Sequence, residues 1–142
     1  MFSEEIRVLL VDDEKEFLDV LVKRLMKRKL DVTGVGSGSE ALLALQERDV
    51  DVVILDVKMA GMDGLQTLKE IKRNHPLVEV IMLTGHANMD AAIEGMEAGA
   101  FDYLTKPADI DDLLYKVQDA RQRKALQEQK IGLIQVGGEA RS

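Results

Sequence analysis

Four stretches of the chain share one pattern, a short apolar run that stops abruptly at a polar residue. Residues 6–11 stop at Asp12–Asp13, residues 50–55 (VDVVIL) at Asp56, residues 78–83 (VEVIML) at Thr84, and residues 101–104 at Thr105–Lys106–Pro107. Runs this short, rich in Val, Ile and Leu and nearly continuous, suit strands covered on both faces. Between them, apolar residues recur at helical spacing. Phe17, Leu18, Leu21, Val22, Leu25 and Met26 form the first set, followed by Ala41, Leu42 and Leu45 and then Leu65, Leu68 and Ile71. Ala91, Ala92, Ile93 and Met96, and finally Ile110, Leu113, Leu114, Val117 and Ala120, continue the rhythm. A weaker run at 32–35, with Gly34 inside it and Gly36 just after it, suits a sheet edge.

The order is strand then helix, five times over. That alternation predicts an α/β fold, a doubly wound five-stranded parallel sheet with helices on both faces, and right-handed crossovers leave few topologies for it. After Ala120, the stretch RQRKALQEQK reads as a helix running on into solvent, and Gly132, Gly137 and Gly138 suggest a loose end. The expected division is one domain over 1–125 and, over 126–142, a helical extension and flexible tail without an output domain, since about twenty residues cannot build a second core.

Bulk properties narrow the picture. A chain of 142 residues, 46% hydrophobic and 32% charged, fits one soluble domain. A net charge of −7 argues against direct nucleic-acid binding, which needs a basic footprint. The absence of cysteine removes disulfides, thiolate metal sites and thiol nucleophiles, and suits a reducing cytoplasm. No apolar stretch reaches membrane-spanning length, and MFSEEIRVLL has no basic region before its apolar run, so neither a span nor a secretory signal is expected.

In open parallel sheets, ligands bind outside the carboxyl ends of the strands. The residues that end the runs are Asp12, Asp13, Asp56, Thr84 and Lys106, and the fold brings them to one edge. Taken singly, each has a bland explanation: a helix N-cap for Asp12 and Asp13, a solvated strand end for Asp56, a turn for Thr84, a loop lysine for Lys106. Together they are three carboxylates, a hydroxyl and an ammonium. Clustered carboxylates repel one another, and a hard divalent cation such as magnesium, which prefers oxygen ligands, relieves the repulsion. One carboxylate flanked by metal and lysine can attack phosphorus, with both cations neutralising the phosphoryl oxygens and the threonine hydroxyl bonding one of them.

With VLLVDDE, VVILDVKMAGMDGLQTL, VIMLTGHA and GAFDYLTKP in view, the chain resembles the response-regulator receiver family over roughly residues 5–125, and that resemblance implies the strand order 2-1-3-4-5. It also implies a phosphoacceptor switch rather than a turnover enzyme. Asp56 would take the phosphoryl group. Asp13 would bind Mg2+ directly, with Asp12 and the backbone carbonyl of Lys58 assisting. Thr84 and Tyr103 would form the switch pair. Lys106 would contact the phosphoryl group, and the bond before Pro107 would be cis. Lys58 and His86 occupy the positions that tune acyl-phosphate lifetime in the family, and Ala60 stands where the family usually has proline.

The implied donor is a sensor histidine kinase or a histidine phosphotransfer domain. The output face would be the fourth helix, fifth strand and fifth helix, around residues 89–98, Tyr103 and 110–120, and the downstream protein target is unknown. No membrane or nucleic-acid contact is expected. The chain would act as a monomer or a phosphorylation-dependent homodimer, the latter through a broken apolar stripe at Val117, Ala120, Lys124 and Ile131. Two rival readings differ in kind. One is a haloacid-dehalogenase-type phosphatase, which needs an acid two residues beyond its nucleophile on the first strand, here ending Asp12–Asp13–Glu14. The other is an unphosphorylated interaction module. Other noticeable residues have plain readings: Met59 and Met62 as loop or core packing, His75 before Pro76 as a surface histidine in a loop, and Gly61 and Gly64 as turn residues.

Overall fold

The structure, a computed structural model, describes residues 5–59, 63–85 and 89–141, with side chains described as far as Leu133. Ala60, Gly61, Met62 and His86 lie outside the described residues. The strands are β1 (Arg7–Val11), β2 (Asp31–Val35), β3 (Val52–Asp56), β4 (Glu79–Thr84) and β5 (Asp102–Thr105). They alternate with α1 (Lys15–Met26), α2 (Gly38–Glu47), α3 (Gly64–Asn74), α4 (Met89–Glu97) and α5 (Ile110–Arg141). All pairings are parallel and the order is β2-β1-β3-β4-β5, the doubly wound arrangement expected.

The continuous apolar runs are explained by two cores. Leu9, Val11, Val53, Leu55, Val80 and Met82 face α2, α3 and α4, and pack on Ala41, Leu68, Ile71 and Ala92. Their strand neighbours Val8, Leu10, Val52, Ile54, Ile81 and Leu83 face α1 and α5, and pack on Leu18, Leu21, Leu25, Leu113 and Val117. Successive strand side chains point to opposite faces, so a sheet with helices on both sides leaves no polar position in β3 before its last residue, and the strand is buried along its whole length. Each large side chain so buried contributes about 1.5–3 kcal/mol. At the edges the demand relaxes, and β2 and β5 are only half-buried. Not every periodic residue is core: Met26, Ile93 and Met96 are exposed.

The amino-terminal rim of the sheet carries buried charge. Asp51, just before β3, accepts from the Arg7 backbone N–H at 2.9 Å, from the Arg7 guanidinium at 3.0 Å and from Lys124 Nζ at 3.1 Å. Glu79 at the start of β4 pairs with Lys72 at 3.5 Å and Arg123 at 3.1 Å. Burial pushes the Asp51 carboxyl up, but the Arg7 hydrogen bonds and Lys124 outweigh it and hold the group below its ordinary value. These pairs fasten the middle of α5 to the sheet.

Two expectations about α5 change. Val117 and Ala120 are fully buried and Lys124 is bonded to Asp51, so most of the stripe considered for dimerisation is taken up by the domain's own core. The helix also continues through Gly132, Gly137 and Gly138 to Arg141, where a loose tail was expected. Glycine costs a helix about 1 kcal/mol relative to alanine but removes no backbone hydrogen bond.

Candidate functional site

β1 and β3 are adjacent strands on which the chain winds in opposite directions, and their carboxyl ends meet at the crevice between. The Asp12 amide donates to the Val35 carbonyl at 3.1 Å, which holds Asp12 in line with the sheet. Its Oδ1 accepts the Glu14 amide at 2.9 Å as the chain turns into α1. Asp12 is therefore no cap for that helix: Glu14 occupies the N-cap position, without a side-chain cap bond. Asp56 is the last residue of β3 and is buried. Its Oδ1 accepts the Lys58 amide at 3.3 Å.

Behind Asp56, the chain is held by close backbone packing. The Gly64 amide donates to the Val57 carbonyl at 3.0 Å. A Cβ at Gly64 would stand 2.4 Å from the Asp56 carbonyl oxygen and 2.6 Å from Val57 Cα. The start of α3 can lie this near the β3 end only with glycine there, a steric role that fits the turn reading of this residue. Asp63 and Gln66 close the helix start with a capping box.

Lys106 reaches the crevice from β5. Its amide donates to the Thr84 carbonyl at 2.7 Å, and the Lys106–Pro107 bond is cis. Lys106 Nζ lies 3.0 Å from Asp12 Oδ2, 3.5 Å from Asp56 Oδ2 and 3.8 Å from Glu14 Oε1. Asp12, Asp13 and Asp56 each offer an oxygen, and these atoms lie within 4.8 Å of one another. Asp12 and Asp56 are buried while Asp13 is exposed.

Charge is unbalanced here. Burial and the neighbouring Asp12 push the Asp56 carboxyl up to about 6, against the opposing pull of Lys106. Burial pulls the Lys106 ammonium down, but Asp12, Asp56 and Glu14 outweigh it and raise it above its ordinary value. Among the described residues, the Lys106 ammonium alone meets Asp12, Asp56 and Glu14, and the donors of the acidic cluster are all oxygen. That donor set fits a hard divalent cation such as Mg2+.

The remaining predicted residues sit on the same rim. Thr84 ends β4 and is fully buried, and its hydroxyl donates to the Gly85 carbonyl at 3.1 Å. In the sheet register it stands one residue beyond Leu83, the partner of Asp56. Tyr103 is half-buried on β5 opposite Met82 and packs against the core beneath α4. Lys58 is exposed just beyond Asp56. Met59 is core, and His75 closes α3, its amide donating to the Ile71 carbonyl at 2.7 Å.

Two neighbours of Lys106 carry no signal of that role in the sequence. Glu14 entered only through the rival phosphatase reading. Phe17, whose spacing is that of a core residue of the first helix, places its ring under Lys106 Nζ at 4.4 Å from the centroid.

The profile of the response regulator receiver domain family matches residues 8–118. The chain is 43% identical over 113 residues to the DNA-binding transcriptional regulator NtrC of Salmonella typhimurium, covering 80% of this chain and 24% of that protein. It is 35% identical over 131 residues to the transcriptional regulatory protein ZraR of Klebsiella oxytoca, covering 92% and 30% respectively. The chain thus spans less than a third of these curated relatives.

Among solved structures, it resembles a response regulator receiver domain protein from Clostridium thermocellum (TM-score 0.83, 38% identity, 86% of this chain and 98% of that one). It also resembles the receiver domain of NtrX from Brucella abortus (TM-score 0.77, 32% identity, 81% and 98%). A β2-β1-β3-β4-β5 sheet with an acidic cluster and a lysine at its switch point, matched by a family profile over most of its length, makes this chain a member of the response regulator receiver domain family of two-component signalling.

Proposed function

We propose that Asp56 is the residue that accepts the phosphoryl group, from a phosphohistidine on a sensor histidine kinase or a histidine phosphotransfer domain. The observation that carries this reading is the position of Lys106 Nζ between Asp12 and Asp56, beside three clustered carboxylates. An Asp56 oxygen attacks phosphorus, the phosphorus–nitrogen bond breaks, and the imidazole leaves with the electron pair. The Lys106 ammonium meets the phosphoryl oxygens and offsets their charge. Asp12, Asp13, Asp56 and the Lys58 backbone carbonyl are the groups that would hold Mg2+, whose chemistry when bound is further neutralisation of those oxygens. Lys58 and His86 adjust how long the acyl phosphate lasts, which Lys58→Ala tests through the dephosphorylation rate.

The switch follows from a change of hydrogen-bond partner. The Thr84 hydroxyl, bonded to the Gly85 carbonyl, turns to a phosphoryl oxygen, and Tyr103 rotates into the space released. A local charge change thereby biases a two-state element, remodelling the face of α4, β5 and α5 for a downstream protein, as a monomer or a phosphorylation-dependent homodimer in the cytoplasm. The domain modifies itself and turns over no separate substrate.

Intact mass after incubation with acetyl phosphate and magnesium tests the assignment. The chain gains one phosphoryl group, and Asp56→Asn gains none. No gain in the unsubstituted chain would favour an unphosphorylated interaction module. Steady hydrolysis of a small phosphate ester would favour the phosphatase reading.

A further inference from the structure

Aromatic side chains are scarce here, three phenylalanines and two tyrosines, yet one of them lies directly against the lysine of the site. Phe17 sits in the first turn of α1, half-buried beside Leu18, which enters the core. Its ring centroid is 4.4 Å from Lys106 Nζ, well within the distance at which the negative face of a ring attracts an ammonium.

We propose that Phe17 is a positioning residue for Lys106, its ring face holding the ammonium between Asp12 and Asp56, where an arriving phosphoryl oxygen can meet it. The inference rests on the phosphoacceptor reading of Asp56. A lysine is a point charge on a flexible four-carbon stem, with about 2 kcal/mol of rotamer entropy to lose. Three carboxylates compete for this one, at 3.0, 3.5 and 3.8 Å. The third, Glu14, is 71% exposed and draws the ammonium outward, away from Asp56. A ring face opposes that drift. It also attracts the charge without an oxygen that an incoming phosphoryl group must displace, which no carboxylate in its place could do. A leucine at the same position would fill the volume and supply none of the attraction.

The test is a series on the full chain with phenylalanine, 4-fluoro-, 3,5-difluoro- and 3,4,5-trifluorophenylalanine at position 17, which weakens the ring face while nearly keeping its shape. Phosphorylation by acetyl phosphate at saturating magnesium should slow stepwise, by about two- to fivefold over the series. In a Lys106→Ala background the same series should be flat, because Phe17 acts only through that lysine. A flat series with Lys106 present, or an equal decline in both backgrounds, overturns the proposal.

A second readout needs no phosphorylation. In the metal-free protein, the Lys106 ε-methylene protons should be shifted upfield by the ring, and Phe17→Leu should abolish the shift. Absence of the shift in the unsubstituted chain also overturns the proposal. A chain that keeps the shifted lysine signals yet takes no phosphoryl group would sink the Asp56 reading and the positioning role with it, while leaving the contact itself intact.

Discussion

The two rims of the sheet both bury carboxylates, and they treat them in opposite ways. At the amino rim, Asp51 is met by Arg7 and Lys124, and Glu79 by Lys72 and Arg123, so Asp51 is held below its ordinary pKa. At the carboxyl rim, among the described residues, Asp12, Asp56 and Glu14 share one lysine, and Asp56 is pushed up to about 6. The first arrangement is complete in itself and ties α5 to the sheet. The second is short of positive charge, which suits a place where a cation and a phosphoryl group arrive. Burial alone therefore does not set the charge state of these acids; the cations and carboxylates around them decide the direction.

The sharpest way to break this contrast is to remove each acid in turn. Asp51→Ala takes the buried carboxylate from Arg7 and Lys124, leaving them their more exposed partners Asp49 and Glu128, and should cost about 3 kcal/mol in urea unfolding, the scale for removing one partner of a buried pair. Asp56→Asn should do the reverse without divalent cations, stabilising the fold by about 2 kcal/mol at neutral pH. The pH dependence carries the same signs. The folded-state pKa of Asp56 is raised from 3.8 to about 6, so in metal-free buffer its ionisation weakens the fold as pH rises through that window. The advantage of Asp56→Asn should be small at pH about 4 and level off above about 6. The contribution of Asp51, with its lowered pKa, is present above the ordinary aspartate value and lost as pH falls below it. Equal and same-signed effects at the two rims would dissolve the comparison.

The smallest effect is expected at the margin of the amino rim. Arg123 pairs with Glu79 and lies over the Phe101 ring at 5.7 Å, but its side chain is 55% exposed. Arg123→Ala should cost about 0.5 kcal/mol by the same unfolding measurement, because Lys72 still serves Glu79. A loss as large as that of Asp51→Ala would show that α5 depends on this contact more than its exposure allows.

How far the sequence discloses these rims differs between them. The carboxyl rim is legible because each apolar run ends where its strand ends, so Asp12, Asp56, Thr84 and Lys106 are marked by position alone. The amino rim is written less plainly. Asp51 and Glu79 stand second in the runs VDVVIL and VEVIML, and an acid inside a buried strand calls for a cation somewhere. Lys124 falls four residues after Ala120 on the buried stripe of α5, yet it reads as a flaw in that stripe until Asp51 is seen opposite it. Phe17 carries a periodicity signal identical to that of a core residue, and only the approach of β5 reveals its second contact. The extent of α5 is hidden for another reason: glycine lowers helix propensity without forbidding helix, so local composition understates its length.

The central claim is that Asp56, and no other acid of the two rims, takes the phosphoryl group. The most direct measurement is borohydride reduction of the chain after reaction with acetyl phosphate and magnesium, followed by peptide mass analysis, since an aspartyl phosphate is reduced to homoserine. The account predicts homoserine at position 56, with Asp12, Asp13 and Asp51 unchanged. Homoserine at any of those three, with position 56 intact, would contradict it.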